Sequence, residues 1–361
     1  MMLKILLLLP DSSKNPFGGM GVQAEGIMSA SSCTFVEHNI TNNLLTLDEN
    51  VLGTPVVNQL IAQASNLPKI EDLKDVNIVH SFDASTSLQG HALAKMLGVP
   101  HIITLQLSMD SLSDMFYKHL ETPDKYFLST IEISCLNLAD AVIHVSKEYL
   151  SKYGLLNPNS FYLPNGIDIT KWEEVSYSKI VLPGRPNAKK LCYIGRFAEM
   201  KNIIGILNAY IPEDVDIYFI GGQRGGHEYF FNAMVNFVDK TPNAYYLGEK
   251  HGDEKVNTLK AMDAVIVPSI HEPFGIVCLE ALASGCVLLS SFQSGMKEYL
   301  TEDIAVNCGI TPEEITNGIN KWLLLDDISE RKERGYALCK QYSWDNAANI
   351  LESIYKRVLT K

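Results

Sequence analysis

Short apolar runs alternate with longer segments of helical periodicity along the chain. In the first half, four mostly apolar runs predict strands, at residues 4–10, 76–82, 101–107 and 141–146. Helices are predicted between these runs at 22–31, 85–97 and 124–139. In the last of them, Ile131, Cys135, Leu138 and Ala139 recur at helical spacing. Strands and helices that alternate in this way are typical of a mostly parallel sheet with right-handed crossovers.

A stretch rich in Pro, Gly, Asn and Lys separates this half from a second one. Residues 166–188 show no sustained periodicity and predict an interdomain linker. Strands are predicted again at 190–196, 216–222, 244–249, 263–269 and 287–291. Helices are predicted at 201–210, 227–239, 253–261, 275–284, 311–324 and 345–358.

The predicted fold class is α/β, with two doubly wound Rossmann-like domains that face a central cleft. Residues 1–165 would form the first domain and residues 189–340 the second. Ligands of such sheets bind outside the carboxyl ends of the strands. Polar residues that directly follow the predicted strands are therefore the first candidates for a functional site.

Composition and charge narrow the function. The 361 residues suffice for two domains, and the formal net charge of −12 gives no general attraction to nucleic acid or anionic lipid. The seven cysteines are scattered and form no Cys-x-x-Cys pair, which favours reduced thiols in a cytoplasmic protein. The N-terminal apolar run is too short for a signal peptide or a membrane span, so a buried first strand is the better interpretation.

Two glutamates flank a predicted helix start in the segment HEPFGIVCLEALASG. Glu272 precedes the helix and Glu280 lies inside it, so each could accept hydrogen bonds from a different hydroxyl of one extended polyol ligand. The backbone N–H groups of Phe274, Gly275 and Ile276 would lie at a helix N-terminus, which attracts phosphate. Alternatively, Glu272 complements the helix dipole and Glu280 is merely solvated.

Two cations follow the first strand of the second half. Arg196 comes after a strand and a glycine, and Lys201 opens the next predicted helix. A guanidinium fork and an ammonium point charge at one strand end suit a diphosphate. The alternative is a surface salt bridge between Arg196 and Glu199.

Two further features lie near predicted strand ends of the first half. Gly18 and Gly19 precede a helix and would allow close approach of the backbone to a ligand, although a simple flexible turn explains them equally well. His80 and Asp83 lie at the end of a predicted strand. They could have a role on the acceptor side, or His80 could be a buried structural histidine. The histidines show no spacing typical of metal ligands, so no metal site is predicted.

Taken in order, these segments resemble a retaining glycosyltransferase of family 4, which has the GT-B fold. Glu272 and Glu280 match the Glu-x7-Glu pattern, IGRFAEMKN resembles the family's Gly-Arg…Lys-Gly/Asn element, and PNGID resembles its interdomain motif. The segment QYSWDNAANILESIY resembles the closing helix of the family, which implies that residues 341–361 cross back to the first domain.

The resemblance implies a role for each candidate residue. Glu272 would contact the donor sugar, Glu280 the ribose, and Arg196 and Lys201 the leaving diphosphate without a metal ion or other cofactor. The amides of residues 274–276 and the Gly18–Gly19 loop would complete the phosphate site. The substrates implied are a nucleotide-diphosphate sugar and an acceptor with a free hydroxyl group, with a saccharide or other small molecule favoured over a lipid or nucleic acid.

The sequence departs from the family pattern at Gln106, where many relatives have a histidine that contacts the donor sugar. Gln106 could still bind a sugar hydroxyl. Two other functions remain open on the same fold. One is a nucleotide-sugar epimerase or phosphorylase, and the other is a nucleotide-sugar-binding protein without turnover.

Overall fold

The computed structural model describes residues 2–10, 12–14, 18–39, 67–108, 122–175, 180–222 and 228–360. The chain forms two compact units. Unit 1 comprises Met1–Gly166 together with Trp344–Lys361, and unit 2 comprises Ile167–Ser343. Each unit is built on its own six-stranded parallel sheet, so the prediction of two α/β units with parallel sheets is confirmed.

The strands of unit 1 follow the order β2-β1-β3-β4-β5-β6. They are β1 Lys4–Leu9, β2 Thr34–Asn39, β3 Ile78–Phe82, β4 His101–Leu105, β5 Ala141–His144 and β6 Ser160–Tyr162. Its α-helices within the described ranges are α1 Gly19–Ala30, α2 Asp83–Leu97, α3 Thr122–Leu138, α4 Lys147–Tyr153 and, near the C-terminus, α12 Trp344–Leu359. The central strands β3, β4 and β5 are buried along their whole length, which explains their near-continuous apolar sequences.

The strands of unit 2 follow the order β12-β11-β10-β7-β8-β9. They are β7 Lys189–Ile194, β8 Val215–Ile220, β9 Ala244–Tyr246, β10 Ala264–Val267, β11 Val287–Ser290 and β12 Ala305–Asn307. The α-helices among its described residues are α5 Ile169–Glu174, α6 Ile203–Leu207, α7 Glu228–Lys240, α8 Gly252–Lys260, α9 Ile276–Ala283, α10 Pro312–Leu323 and α11 Ile328–Cys339. One face of the sheet packs on a large apolar core that includes Tyr193, Phe219 and Trp322.

Several elements differ from the sequence-based expectation. The helix predicted at 201–210 is a 3-10 turn, Glu199–Lys201, followed by the short α6, because Asn202 between them is left-handed with φ 56°. The segment 166–188, predicted as a linker, contains α5, whose Asp168 side chain accepts from the Lys171 N–H at its first turn. The strands β2, β6 and β12 are edge strands and were not predicted.

The helix α12 packs against α1 within unit 1. A Cβ atom added to Gly26 of α1 would lie 2.2 Å from the Trp344 ring, so the absence of a side chain there permits the contact. At the other end of the interface, Glu352 accepts hydrogen bonds from Ser31 and Ser32. The last helix is therefore an integral part of the unit that contains the N-terminus.

Candidate active site

Two cations lie beyond the carboxyl end of β7 in unit 2. Arg196 follows Gly195, and its carbonyl oxygen accepts a 2.7 Å hydrogen bond from the Tyr193 hydroxyl. The guanidinium lies 3.9 Å from the Met200 sulfur, and no carboxylate of the described residues forms an ion pair with it. The salt bridge to Glu199 considered above is therefore not formed, and the Arg196 charge is available to an anion.

Lys201 forms an ion pair with Glu272. The strands β7 and β10 are parallel neighbours, so the segments that follow them emerge at the same edge of the sheet. The Lys201 ammonium donates to Glu272 Oε2, and the two side chains are only 18% and 12% exposed. The sequence predicted that both residues share a site, but it gave no sign that they bind each other.

The buried Tyr193 hydroxyl lies in the field of both charges. Burial raises the pKa of Tyr193 well above its usual range, Arg196 lowers it and Glu272 raises it further. Arg196, Lys201 and Glu272 follow the neighbouring parallel strands β7 and β10 at one edge of the sheet. They form one charged cluster with a formal net charge of +1.

The loop that carries Glu272 is held by close backbone contacts. The Gly295 N–H donates to the Glu272 carbonyl at 3.1 Å, and a Cβ atom on Gly295 would lie 1.6 Å from the Pro273 carbonyl oxygen. The Tyr299 hydroxyl donates to the carbonyl oxygens of Phe274 and Gly275 at 2.8 and 3.1 Å. These contacts fix the backbone at the start of α9.

The N-terminus of α9 offers free donors. Gly275 is left-handed with φ 91°, and the N–H groups of Phe274, Gly275 and Ile276 donate to no residue that the structure describes. Donors of this kind at a helix N-terminus favour an anion. The Phe274 side chain is 2% exposed and stacks on Tyr299, so Phe274 can offer a ligand only its backbone.

Glu280 pairs with a residue that the sequence analysis missed. Glu280 lies on α9, and its Oε1 accepts a 2.5 Å hydrogen bond from the ammonium of Lys255 on α8. The Glu280 side chain is 9% exposed and that of Lys255 is 23% exposed. Glu280 is therefore neither solvated nor bound to the Lys201 cluster, and Lys255 joins the candidate residues. In the sequence, Lys255 stands in a polar helix among other charged residues, where nothing distinguishes it.

In unit 1, Asp83 holds the backbone that follows β4. Asp83 is buried and left-handed with φ 57°, and its Oδ1 accepts from the N–H groups of Gln106 and Leu107 at 2.5 and 3.0 Å. Burial raises the pKa of Asp83 to about 8, although the two backbone hydrogen bonds lower it. A strained buried residue at a strand end is often functional.

Gln106 and the glycine segment come together in the same unit. Gln106 is 8% exposed, and its Nε2 lies 3.4 Å from the carbonyl oxygen of Gly19, in the first turn of α1. Gly18 is the N-cap residue of α1 and has an extended backbone conformation. It contributes no side-chain hydrogen bond to the helix. The structure therefore places Asp83, Gln106 and the Gly18–Gly19 segment at one end of the unit 1 sheet.

His80 lies in the interior of unit 1. The residue is fully buried, and its ring nitrogens lie 2.7 Å from the Tyr355 hydroxyl and 2.8 Å from the Thr104 hydroxyl. Burial lowers the pKa of His80 to about 3. Since both ring nitrogens already have hydroxyl partners, this arrangement favours the structural alternative over contact with an acceptor.

The low pKa of His80 predicts a specific pH dependence of stability. In the unfolded chain this histidine binds a proton below pH 6.5, whereas in the folded chain it does so only below about pH 3. Folding stability therefore falls as the pH falls from 6.5 towards 3. For one group the slope approaches about 1.4 kcal/mol per pH unit. We expect the difference in unfolding free energy between wild type and His80→Gln to shrink from pH 6.5 to pH 4 in denaturant titrations. Parallel stability curves would contradict the prediction.

The described residues include neither a cluster of metal ligands nor a helix that could span a membrane. No group of three or more His, Cys, Asp or Glu side chains gathers in an arrangement that could hold a metal ion. No helix in the described ranges has both the length and the apolar character needed to cross a membrane.

Comparison with protein families assigns both halves of the chain. Residues 179–355 match the family model "Glycosyl transferases group 1", and residues 45–171 match "Glycosyltransferase Family 4". Together with the two parallel units, these matches define the class of the protein. The chain is a glycosyltransferase of the GT-B fold, and the enzyme class predicted from the sequence is confirmed.

Individual relatives agree with this assignment. The chain is 25% identical to the alpha-maltose-1-phosphate synthase of Mycolicibacterium smegmatis over 82% of both proteins. Two solved structures share the fold. The sucrose-phosphate synthase of Thermosynechococcus elongatus has a TM-score of 0.77 at 16% identity and 99% coverage of both chains. Anabaena Alr3699/HepE in complex with UDP-glucose has a TM-score of 0.72 at 15% identity, over 99% of this chain and all of the other.

Proposed function

We propose that the protein transfers a sugar from a nucleotide-diphosphate sugar to a hydroxyl group of an acceptor, with retention of anomeric configuration and without a metal ion. The observation that carries this proposal is the cluster of Arg196, Lys201 and Glu272 at adjacent strand ends, next to the free amides of the α9 N-terminus. Both features favour an anion, and a diphosphate is the anionic leaving group of the reaction.

The cluster can stabilise charge as the glycosidic bond breaks. Negative charge develops on the departing phosphate oxygen, where the Arg196 guanidinium and the Lys201 ammonium would stabilise it. Positive charge develops on the sugar ring, where the Glu272 carboxylate would stabilise it. The Lys201–Glu272 pair holds both groups in place before substrate binds, so little reorganisation is needed during the reaction.

Glu280 would bind the ribose of the donor. Its Oε1 is engaged by Lys255 and its second oxygen can accept hydrogen bonds from hydroxyl groups. UDP and UDP-glucose in complexes of Anabaena Alr3699/HepE support a nucleotide donor. The acceptor is proposed to be a saccharide or another small hydroxyl compound. Sugar phosphates are the first acceptors to test, because one relative is an alpha-maltose-1-phosphate synthase. Seven unpaired cysteines support a cytoplasmic location.

The ribose assignment predicts a selective effect of Glu280→Gln. The amide keeps the shape but loses the charge that accepts strongly from hydroxyl groups and pairs with Lys255. We expect the KM for the donor to rise about tenfold while kcat changes less than threefold, because ribose binding is equal in the ground and transition states. Initial rates over a range of donor concentrations give both constants. An equal fall in kcat and kcat/KM would instead assign Glu280 to the transition state.

A ligand screen tests the proposed function. A ligand that binds only the folded state raises its melting temperature. We expect one of UDP-glucose, UDP-galactose, UDP-N-acetylglucosamine, ADP-glucose or GDP-mannose to do so, and its nucleoside diphosphate to be released when glucose, glucose 1-phosphate or fructose 6-phosphate is added. NMR of the product should show the anomeric configuration of the donor, and EDTA should leave the rate unchanged.

The other outcomes of the screen identify the competing functions. An epimerase would convert the donor with no acceptor present, and a phosphorylase would require inorganic phosphate. A protein without turnover would bind the donor, retain that binding in Glu272→Gln, and release no nucleotide with any acceptor.

A further inference from the structure

Two buried glutamine side chains meet beyond the end of β4 in unit 1. Gln106 Nε2 donates to Gln23 Oε1 at 2.6 Å, and Gln23 itself lies on α1 with no exposed surface. The same Nε2 lies 3.4 Å from the carbonyl oxygen of Gly19 and 3.4 Å from Asn165 Oδ1. Gln23 was not among the residues singled out by the sequence.

The surrounding acceptors fix which way both amides point. The Gly19 carbonyl oxygen can only accept a hydrogen bond, so the nitrogen of Gln106, rather than its oxygen, faces it. The backbone of Gln106 is fixed as well, because its N–H donates to Asp83 Oδ1. Gln106 Oε1 consequently points away from these partners, and no described residue donates to it.

Gln23 is left with an unused donor. Its Oε1 accepts from Gln106, while its Nε2 is buried and has no partner in the part of the chain that the structure describes. Buried polar groups nearly always have a partner, and an exception requires an explanation such as a bound ligand or water. An apolar residue of the same length would avoid this unsatisfied donor.

We infer that Gln23 is a specificity-determining residue of the transfer reaction, whose Nε2 donates to a hydroxyl of a sugar substrate while Gln106 Oε1 accepts from a hydroxyl. A sugar hydroxyl can both donate and accept, so neighbouring hydroxyls match one amide donor beside one amide acceptor. The inference rests on the proposed function and extends it to a residue of α1. The sugar is that of the nucleotide donor or that of the acceptor, and both carry the same chemistry.

The test compares Gln23→Met with wild type. Methionine has nearly the same length but neither donates to a hydroxyl nor accepts well from Gln106. In the donor arm, calorimetry measures the affinity for each nucleotide sugar of the screen and for its parent nucleoside diphosphate. If the donor sugar is bound, the ratio of the two affinities falls about tenfold while nucleoside diphosphate affinity is unchanged. In the acceptor arm, a tenfold rise in the KM for glucose 1-phosphate or fructose 6-phosphate, with donor binding intact, assigns the acceptor sugar.

Stability and a matched variant separate this role from a structural one. Gln23→Met removes one unsatisfied buried donor but also the acceptor of Gln106 Nε2, so its melting temperature should change little from that of wild type. Gln89→Met replaces another buried glutamine, on α2. It should leave both the ratio of nucleotide-sugar to nucleoside diphosphate affinity and the KM for the acceptor unchanged. Unaltered donor and acceptor constants in Gln23→Met overturn the inference and assign Gln23 to packing or to a buried water. If wild type binds no nucleotide sugar of the panel, the proposed function fails first, and this inference fails with it.

Discussion

Replacing Lys201 with alanine is expected to lower turnover about a hundredfold or more. The loss of one preorganised group that stabilises transition-state charge typically has an effect of this size. The ion pair adds a second cause, because Lys201→Ala also leaves the Glu272 carboxylate, only 12% exposed, without its cation. Arg196→Ala should reduce turnover by a similar factor without that second cause, since no described carboxylate pairs with Arg196. Initial rates of nucleoside diphosphate release give turnover for each variant.

A matched lysine separates a local effect from a general loss of positive charge. Lys321 also lies in unit 2 and pairs with a glutamate, Glu302, but both side chains are more than half exposed. Exposed pairs of this kind contribute little, so Lys321→Ala should retain wild-type turnover and melting temperature. If turnover fell by a similar factor in Lys201→Ala, Arg196→Ala and Lys321→Ala, the proposal that Arg196 and Lys201 bind the diphosphate would be contradicted. Loss of activity with EDTA and recovery with a divalent metal would also contradict it.

Gly295→Ala is expected to reduce turnover at least tenfold without removing any charged group. The added methyl would lie 1.6 Å from the Pro273 carbonyl oxygen, which is backbone and cannot rotate away. The loop would therefore shift, and it carries Glu272 and the amides at the start of α9. Displacement of reacting groups by about 1 Å can cost a hundredfold in rate. Overpacking of this kind also typically costs about 1–3 kcal/mol of stability.

The control is the same substitution at Gly154 in unit 1. There the nearest atom to an added methyl is the Cδ1 of Leu150 at 3.0 Å, a side-chain end that can rotate. Turnover of Gly154→Ala should equal that of wild type when both enzymes are assayed well below their melting temperatures. If Gly295→Ala keeps full turnover, the position of the loop does not limit the reaction.

The fold could be predicted from the sequence because the central strands are buried on both faces. In the sequence, β3, β4 and β5 appear as short apolar runs, and segments predicted as helices separate them. Edge strands such as β2 carry partly exposed side chains, so their sequences lack a continuous apolar run. The helix predicted at 201–210 was partly wrong, because Asn202 adopts a left-handed conformation that residue patterns do not reveal.

The candidate site was only partly accessible from the sequence. The carboxyl-end rule for parallel sheets made Arg196, Lys201 and Glu272 candidates. Their grouping in one site came from the resemblance to the glycosyltransferase family. The hydrogen-bond partners of individual side chains could not be predicted from the sequence. Lys255 meets Glu280, and Gln23 meets Gln106, only because elements distant in sequence pack together. For His80 the sequence left two alternatives open, a role on the acceptor side and a buried structural histidine, and its full burial favours the second.

The membership of α12 in unit 1 affects the order in which the protein can fold on the ribosome. The N-terminal unit includes Trp344–Lys361, so its last helix is synthesised only after all of residues 167–343. At about 5–20 residues per second, that delay is on the order of ten to forty seconds. During this time the surface of α1 around Gly26 lacks its partner, whereas unit 2 is complete as soon as it leaves the exit tunnel. The nascent N-terminal unit is therefore the part of the chain on which a chaperone would have most time to act.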